Sequence, residues 1–255
     1  MTDLAPAPSL IATAPRHPGW VRISHWILAG SLLTLATSGW AILMVHPRLY
    51  WGQAGNDLTP ALVELPISRN YKHGGWTTRA PLTSDLRGPM SASRTYDIFN
   101  QNGWARSLHF IAAWWLVVPG AVYLLAGLAA GHFRARMWPR TRDLAPRHVW
   151  RDVMDHLRFQ IPSMEGQSPY GLLQKAAYTA VVFLACPLVV ASGLAMSPAI
   201  TAAMPWLLRV FGGYQSARTV HFAAFAALVL FALVHVVMVA ASGFKRQMRA
   251  MTFGD

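Results

Sequence analysis

Four of the ten histidines, His25, His109, His221 and His235, stand within long apolar runs whose interiors hold no Asp, Glu or Lys. Ionisable groups in such surroundings are costly and mark function, and a neutral imidazole offers one lone-pair nitrogen to a metal. His221 and His235 share one run, fourteen residues apart. On a helix, fourteen steps rise roughly 21 Å and return to within about 40° of the starting face. One helix therefore carries two ligands on one face, in two layers. His25 opens the first run and matches His235 in depth, while His109 opens the second and matches His221, which opens the fourth. Each pair joins two helices, as a planar macrocycle between two axial imidazoles requires. The chemistry implied is two bis-histidine haems, stacked so that electrons cross the apolar layer.

Arginine precedes three of these histidines by three residues, in Arg22-Ile-Ser-His25, Arg106-Ser-Leu-His109 and Arg218-Thr-Val-His221. An i,i+3 pair shares a helix face, and a guanidinium on the interfacial side of its histidine can bind a propionate bidentately. Gly39 lies fourteen residues after His25, so the first helix would pass the second haem layer at a residue without a side chain.

A single membrane histidine is often only an interhelical hydrogen-bonder, and a terminal arginine a headgroup anchor. Four histidines matched in depth, with three arginines at one offset, argue for ligands. His17, His46, His73, His132, His148 and His156 fall in tails, loops or helix ends, where a solvated role is expected. Of these, His132 is the alternative ligand on the inner side. The one cysteine, Cys186, lies in an apolar run, leaving no C-x-x-C-H for covalent attachment, so any haem is b-type.

The elements that position these residues follow from composition. The chain has 255 residues, 54% hydrophobic and 13% charged, too apolar for a soluble domain. Four stretches reach the roughly 20 apolar residues that a bilayer requires. They are Val21–Val45, Trp104–Ala130, Gly171–Met196 and Thr219–Ser242, with Trp20, Trp26, Trp40, Trp104 and Trp138 near their ends as interfacial rings. Pro119 and Pro187 fall inside two of them and predict local kinks. The expected fold is all-α, an integral membrane four-helix bundle with a long extracytoplasmic loop between helices 1 and 2. Residues 1–20 read as a disordered tail and 21–250 as the di-haem domain.

The net charge of +12 punctuates the apolar runs and forms no basic face, so it argues for topology and against nucleic acid. Four spans put both termini on the side of the loop Gly131–Pro169, which contains Arg134, Arg136, Arg140, Arg142, Arg147, Arg151 and Arg158. That side is expected to be cytoplasmic. The segment His46–Gly103 would form an extracytoplasmic cap on which a partner could dock, and the stretch from Thr201 to Gly213 a short interfacial helix. No internal repeat is evident.

The motifs Arg22-Ile-Ser-His25-Trp26, Arg106-Ser-Leu-His109-Phe110, Tyr170-Gly-Leu-Leu-Gln174-Lys175 and His221 with His235 resemble the bacterial cytochrome b561-like superfamily. Its members include the di-haem membrane subunits of nickel-iron hydrogenases, formate dehydrogenases and thiosulfate reductases. Gly131-His132-Phe133-Arg134 and Gln215-Ser216-Ala217-Arg218-Thr219 are most similar to the thiosulfate-reductase type, associated with periplasmic molybdopterin oxidoreductases. The resemblance runs from about Pro18 to the C-terminus. It implies a four-helix bundle, bis-histidine haem b at His25, His109, His221 and His235, and a quinone site near the inner haem. For that site, Tyr170, Gln174 and Lys175 offer a hydroxyl, an amide and an ammonium.

The function expected is therefore a redox relay in the bacterial inner membrane. It would join the quinone pool to a periplasmic redox enzyme subunit of the molybdopterin type. The alternative is a stand-alone quinol:acceptor oxidoreductase. A transporter would want acidic residues or broken half-helices within its spans, and an intramembrane metallopeptidase a glutamate beside its histidines; neither pattern occurs.

Overall fold

A computed structural model describes residues 17–56, 59–68, 102–138, 145–157 and 171–254. Most of the expected tail, the loop between residues 69 and 101, Arg140, Arg142, Arg158 and Tyr170 lie outside them. The chain runs α1 Gly19–Val45, β1 Arg48–Leu49, β2 Val63–Glu64, α2 Asn102–Ala129, α3 His132–Arg136, α4 Pro146–Leu157 and α5 Leu172–Ala180. A π-helical turn, Val181–Ala185, joins α5 to α6 Cys186–Ala195. Then come α7 Pro198–Ala203, α8 Pro205–Val210, α9 Tyr214–Ala241 and α10 Phe244–Thr252.

Four helices are long and apolar enough to cross a membrane: Gly19–Val45, Gly103–Ala129, Leu172–Ala195 and Tyr214–Ala241. Their outer faces are apolar and open. On α2 the exposed residues Ile111, Trp115, Val118, Val122 and Leu125 recur at helical spacing as an apolar stripe of the kind a bilayer covers. The fold is thus the expected membrane four-helix bundle, with a long segment between its first two spans.

The spans associate in chain order, α1 along α2 and α6 along α9, with little backbone approach between the two pairs. Side chains bridge them. Leu32 of α1 packs on Val189, Ala224 and Leu228, while Leu43 and Met44 meet Ile67 and Phe222. Small residues line the close contacts, as membrane helices favour: Ala41, Ala195 and Ala217 are at most 2% exposed.

Helix interruptions have local causes. Pro187 has no N–H and its ring crowds the carbonyl of Phe183, and the preceding turn widens to the π form, where Cys186 N–H bonds Val181 O. By contrast, α2 runs through Pro119 without a change of helix type. The interfacial helix expected between Thr201 and Gly213 is two helices, because Pro205 pushes Met204 to φ −129°, ψ 68° and out of the helical region. Sequence reading gave no helix to α3, α4 or α10, which are short and carry many arginines.

The start of the long loop is fastened to α9. β1 and β2 pair antiparallel, Arg48 opposite Glu64 and Leu49 opposite Val63. Gln215 N–H and Ser216 N–H both donate to Gly52 O, Gly52 N–H donates to Ser216 Oγ at 2.7 Å, and Thr219 Oγ1 donates to Tyr50 O at 2.6 Å. Gly213 (φ 127°) has no Cβ because one would stand 2.5 Å from the Gly52 carbonyl.

Candidate functional site

The first half of α9, the start of α2 and the last two turns of α1 and α6 enclose one histidine pair, here the loop-side pair. The ring centroids of His109 and His221 are 6.2 Å apart at 62°. Toward the other end of α9, on the side of the termini, His25 and His235 also stand with centroids 6.2 Å apart, at 57°. The two terminal-side rings come from α1 and α9, the two loop-side rings from α2 and α9. Fourteen residues of continuous helix between His221 and His235 set the layers roughly 21 Å apart.

The loop-side rings are held by matching surroundings. Ser38 Oγ lies 3.0 Å from His109 Nδ1, and Ser192 Oγ lies 3.2 Å from His221 Nδ1. The Val189 carbonyl is 2.9 Å from His221 Nδ1. A Cβ on Gly39 would stand 3.4 Å from His109 Cε1, and one on Gly193 3.2 Å from His221 Cε1. The room left by Gly39 is thus taken by the His109 ring itself.

The terminal-side rings have aromatic surroundings. His235 stacks on Phe231 with centroids 5.8 Å apart at 14°, and Tyr178 meets it edge-on at 6.4 Å. Trp26 meets His25 edge-on at 5.2 Å. His25 Nδ1 is buried with no hydrogen-bond partner among the described residues. The C-terminal helix folds back onto this end: Trp26 Nε1 donates to Met251 O at 3.3 Å and Arg22 to Thr252 O at 3.2 Å.

The arginines at the i−3 offset have different settings. Arg218 donates to the carbonyls of Arg48 and His46 and so completes the fastening of the loop to α9. Arg106 is exposed, and Arg22 keeps a buried Nε without a hydrogen-bond partner among the described residues. Of the other predicted polar groups, Gln174 Nε2 donates to Tyr178 Oη at 2.9 Å, and Lys175 is buried at 6% exposure. His132 meets Trp20 edge-on at 5.4 Å. Residues that sequence reasoning missed are Ser38, Ser192, Gly193, Tyr178, Phe231 and Asp152, whose Oδ2 accepts from Leu173 N–H at 2.7 Å and caps α5.

The pairs fit haem on geometric grounds. A metal–imidazole bond is about 2.0–2.1 Å and the ring centroid lies about 1.1 Å behind the nitrogen, so two imidazoles on opposite sides of one iron place their centroids about 6.2–6.4 Å apart. Both pairs have that spacing. The described residues include no group of three or more His, Cys, Asp or Glu side chains close enough to hold a bare ion.

The family described as "Prokaryotic cytochrome b561" matches residues 16–254. A relative from Azospira oryzae, "Putative protein-methionine-sulfoxide reductase subunit YedZ1", is 31% identical over 224 residues, which are 88% of this chain and 89% of the relative. No solved structure matches the chain. With a match over nearly its whole length and four apolar spans, the chain belongs to the prokaryotic cytochrome b561 family, whose membrane proteins carry haem b.

Proposed function

We propose that this protein is a di-haem membrane subunit that relays electrons between the quinone pool and a periplasmic oxidoreductase. The observation that carries the reading is the recurrence of one ring spacing, 6.2 Å, in two layers at opposite ends of α9. His25 with His235, and His109 with His221, would hold the two haems. When bound, the two haems supply one-electron carriers at two depths of the bilayer. The loop-side layer faces the periplasm and the terminal-side layer the cytoplasm, because the arginine-rich segments α3 and α4 and both termini share one side. Arg22, Arg106 and Arg218 place positive charge near the haem edges.

The partner docks on the periplasmic side, over the loop fastened to α9. That the relative is named as a subunit of a sulfoxide reductase supports a partner enzyme over a stand-alone quinol oxidoreductase. A molybdopterin enzyme suits the motif likeness. The quinone ring binds at the terminal side beside His235, where Phe231 supplies an apolar wall and the hydrogen-bonded Gln174 and Tyr178 supply polar groups for its carbonyls. Lys175 completes that end, and Tyr170, expected there from the sequence, lies outside the described residues.

The test is stoichiometry. A pyridine haemochrome assay on the purified chain returns two protohaems, extractable with acidic acetone because no thioether holds them. One haem or none overturns the reading.

A further inference from the structure

The two loop-side histidines are supported by the same short sequence. Ser38-Gly39-Trp40-Ala41 on α1 faces His109, and Ser192-Gly193-Leu194-Ala195 on α6 faces His221. Each histidine belongs to an Arg-x-x-His turn of the next span in the chain, α2 or α9. A two-span unit, serine and glycine first, arginine and histidine second, thus occurs twice.

The hydrogen-bond roles in this unit follow from the backbone. Ser38 Oγ–H donates to Thr34 O at 2.7 Å and Ser192 Oγ–H to Leu188 O at 2.6 Å. With the hydroxyl proton directed to the preceding turn, the oxygen meets imidazole only as an acceptor. At His221 the Val189 carbonyl is a second acceptor, 2.9 Å from Nδ1. An acceptor at Nδ1, the serine oxygen for both rings and a carbonyl besides for His221, requires that this nitrogen carry the proton, which leaves the Nε2 lone pair free on the opposite side of the ring. Both serines are 0% exposed, so water competes with neither contact. Gly193 lets the His221 ring approach this close, since a Cβ there would stand 3.2 Å from Cε1 and crowd it, while one on Gly39 would just touch His109 at 3.4 Å.

We propose that Ser38-Gly39 and Ser192-Gly193 are positioning residues that fix the tautomer and orientation of His109 and His221 and thereby lower the potential of the loop-side haem relative to the terminal-side one. This rests on the di-haem reading above. An acceptor at Nδ1–H raises the basicity of the ligand and favours ferric iron, a recognised tuning lever. The terminal-side layer lacks the device at His25, whose Nδ1 has no partner among the described residues.

The experiment uses full-length protein in membranes: wild type, Ser38→Ala, Ser192→Ala and the control Ser31→Ala. Ser31 is also buried on α1 and bonds back to Ile27 O, with no hydrogen bond to a histidine among the described residues. Haem content and a potentiometric titration are read for each. In Ser38→Ala and Ser192→Ala one of the two waves moves to higher potential. Its reduced-to-oxidised ratio at fixed ambient potential rises about threefold to tenfold, the range of one neutral hydrogen bond. The other wave stays, Ser31→Ala moves neither, and Ser38→Thr, which keeps the hydroxyl, returns the wave toward wild type. Gly193→Ala changes the low-spin electron paramagnetic resonance line of the same haem without removing an acceptor. Two unmoved waves, equal movement of both, the same shift in Ser31→Ala, or loss of both haems from a single serine variant overturns the proposal while the di-haem reading stands. A wild type with fewer than two haems overturns both.

Discussion

At the loop side, His109 and His221 each share Nδ1 with a buried serine and lie against a glycine of the neighbouring span. At the terminal side, His25 has a buried Nδ1 without a partner among the described residues, and His235 is held by Phe231 and Tyr178. The ring spacing is the same in both layers. Polar bracing fixes a tautomer and a ring plane, whereas aromatic packing fixes position and leaves the second nitrogen open. The first suits a carrier that never exchanges. The second suits an end where a substrate enters and leaves, because an exchangeable ring binds best among apolar walls with few polar groups. A loop fastened over one end and a helix folded back at the other extend the same contrast.

The largest effect that can break this comparison is removal of a ligand. His221→Ala should abolish the loop-side haem and leave the terminal-side one, and His235→Ala the reverse, read as haem content and as the surviving wave in a redox titration. Loss of both haems from both variants would mean that the layers are not independent. Next in size is the rate of reduction by a quinol analogue in membranes with intact haem. Gln174→Leu and Lys175→Met should each slow it about threefold to tenfold, the effect of removing one hydrogen bond. Wild-type rates and inhibitor sensitivity in both would move the quinone to the loop side.

The parts of this molecule that follow from period and rise were legible in the sequence. Four apolar runs became four spans, and depth along them placed His25 beside His235 and His109 beside His221. The start of α9 was set five residues late, at Thr219, because Tyr214–Arg218 is polar. That polarity is what fastens the loop. The helices α3, α4 and α10 fell below the length that hydropathy detects. Ser38 and Ser192 were passed over because a serine in a membrane helix satisfies itself on the preceding turn, and nothing in one run says which neighbour it faces. The recurrence of Ser-Gly-x-Ala in the first and third spans was the available signal. Tyr178 was missed because an aromatic ring within an apolar run reads as core.

The smallest effect sharpens the comparison by charge. Arg106 and Arg218 precede the two loop-side histidines at the same offset, but Arg106 is exposed while Arg218 is half-buried and bonded to the carbonyls of His46 and Arg48. A positive charge near a haem favours the reduced, less positive iron, so removing it lowers the potential. Water and salt screen an exposed charge far more than one held among backbone carbonyls. Arg218→Leu should therefore lower the loop-side wave more than Arg106→Leu, with the terminal-side wave unmoved in both. Arg218→Leu also leaves two carbonyls without their donor, at a cost of about 1–3 kcal/mol for each that stays buried. The segment between His46 and Asn56 should then become open to protease in that variant alone. Equal shifts from both arginines, with the segment still protected, would make charge the only role of Arg218. No shift from either would return both to the membrane surface as headgroup anchors.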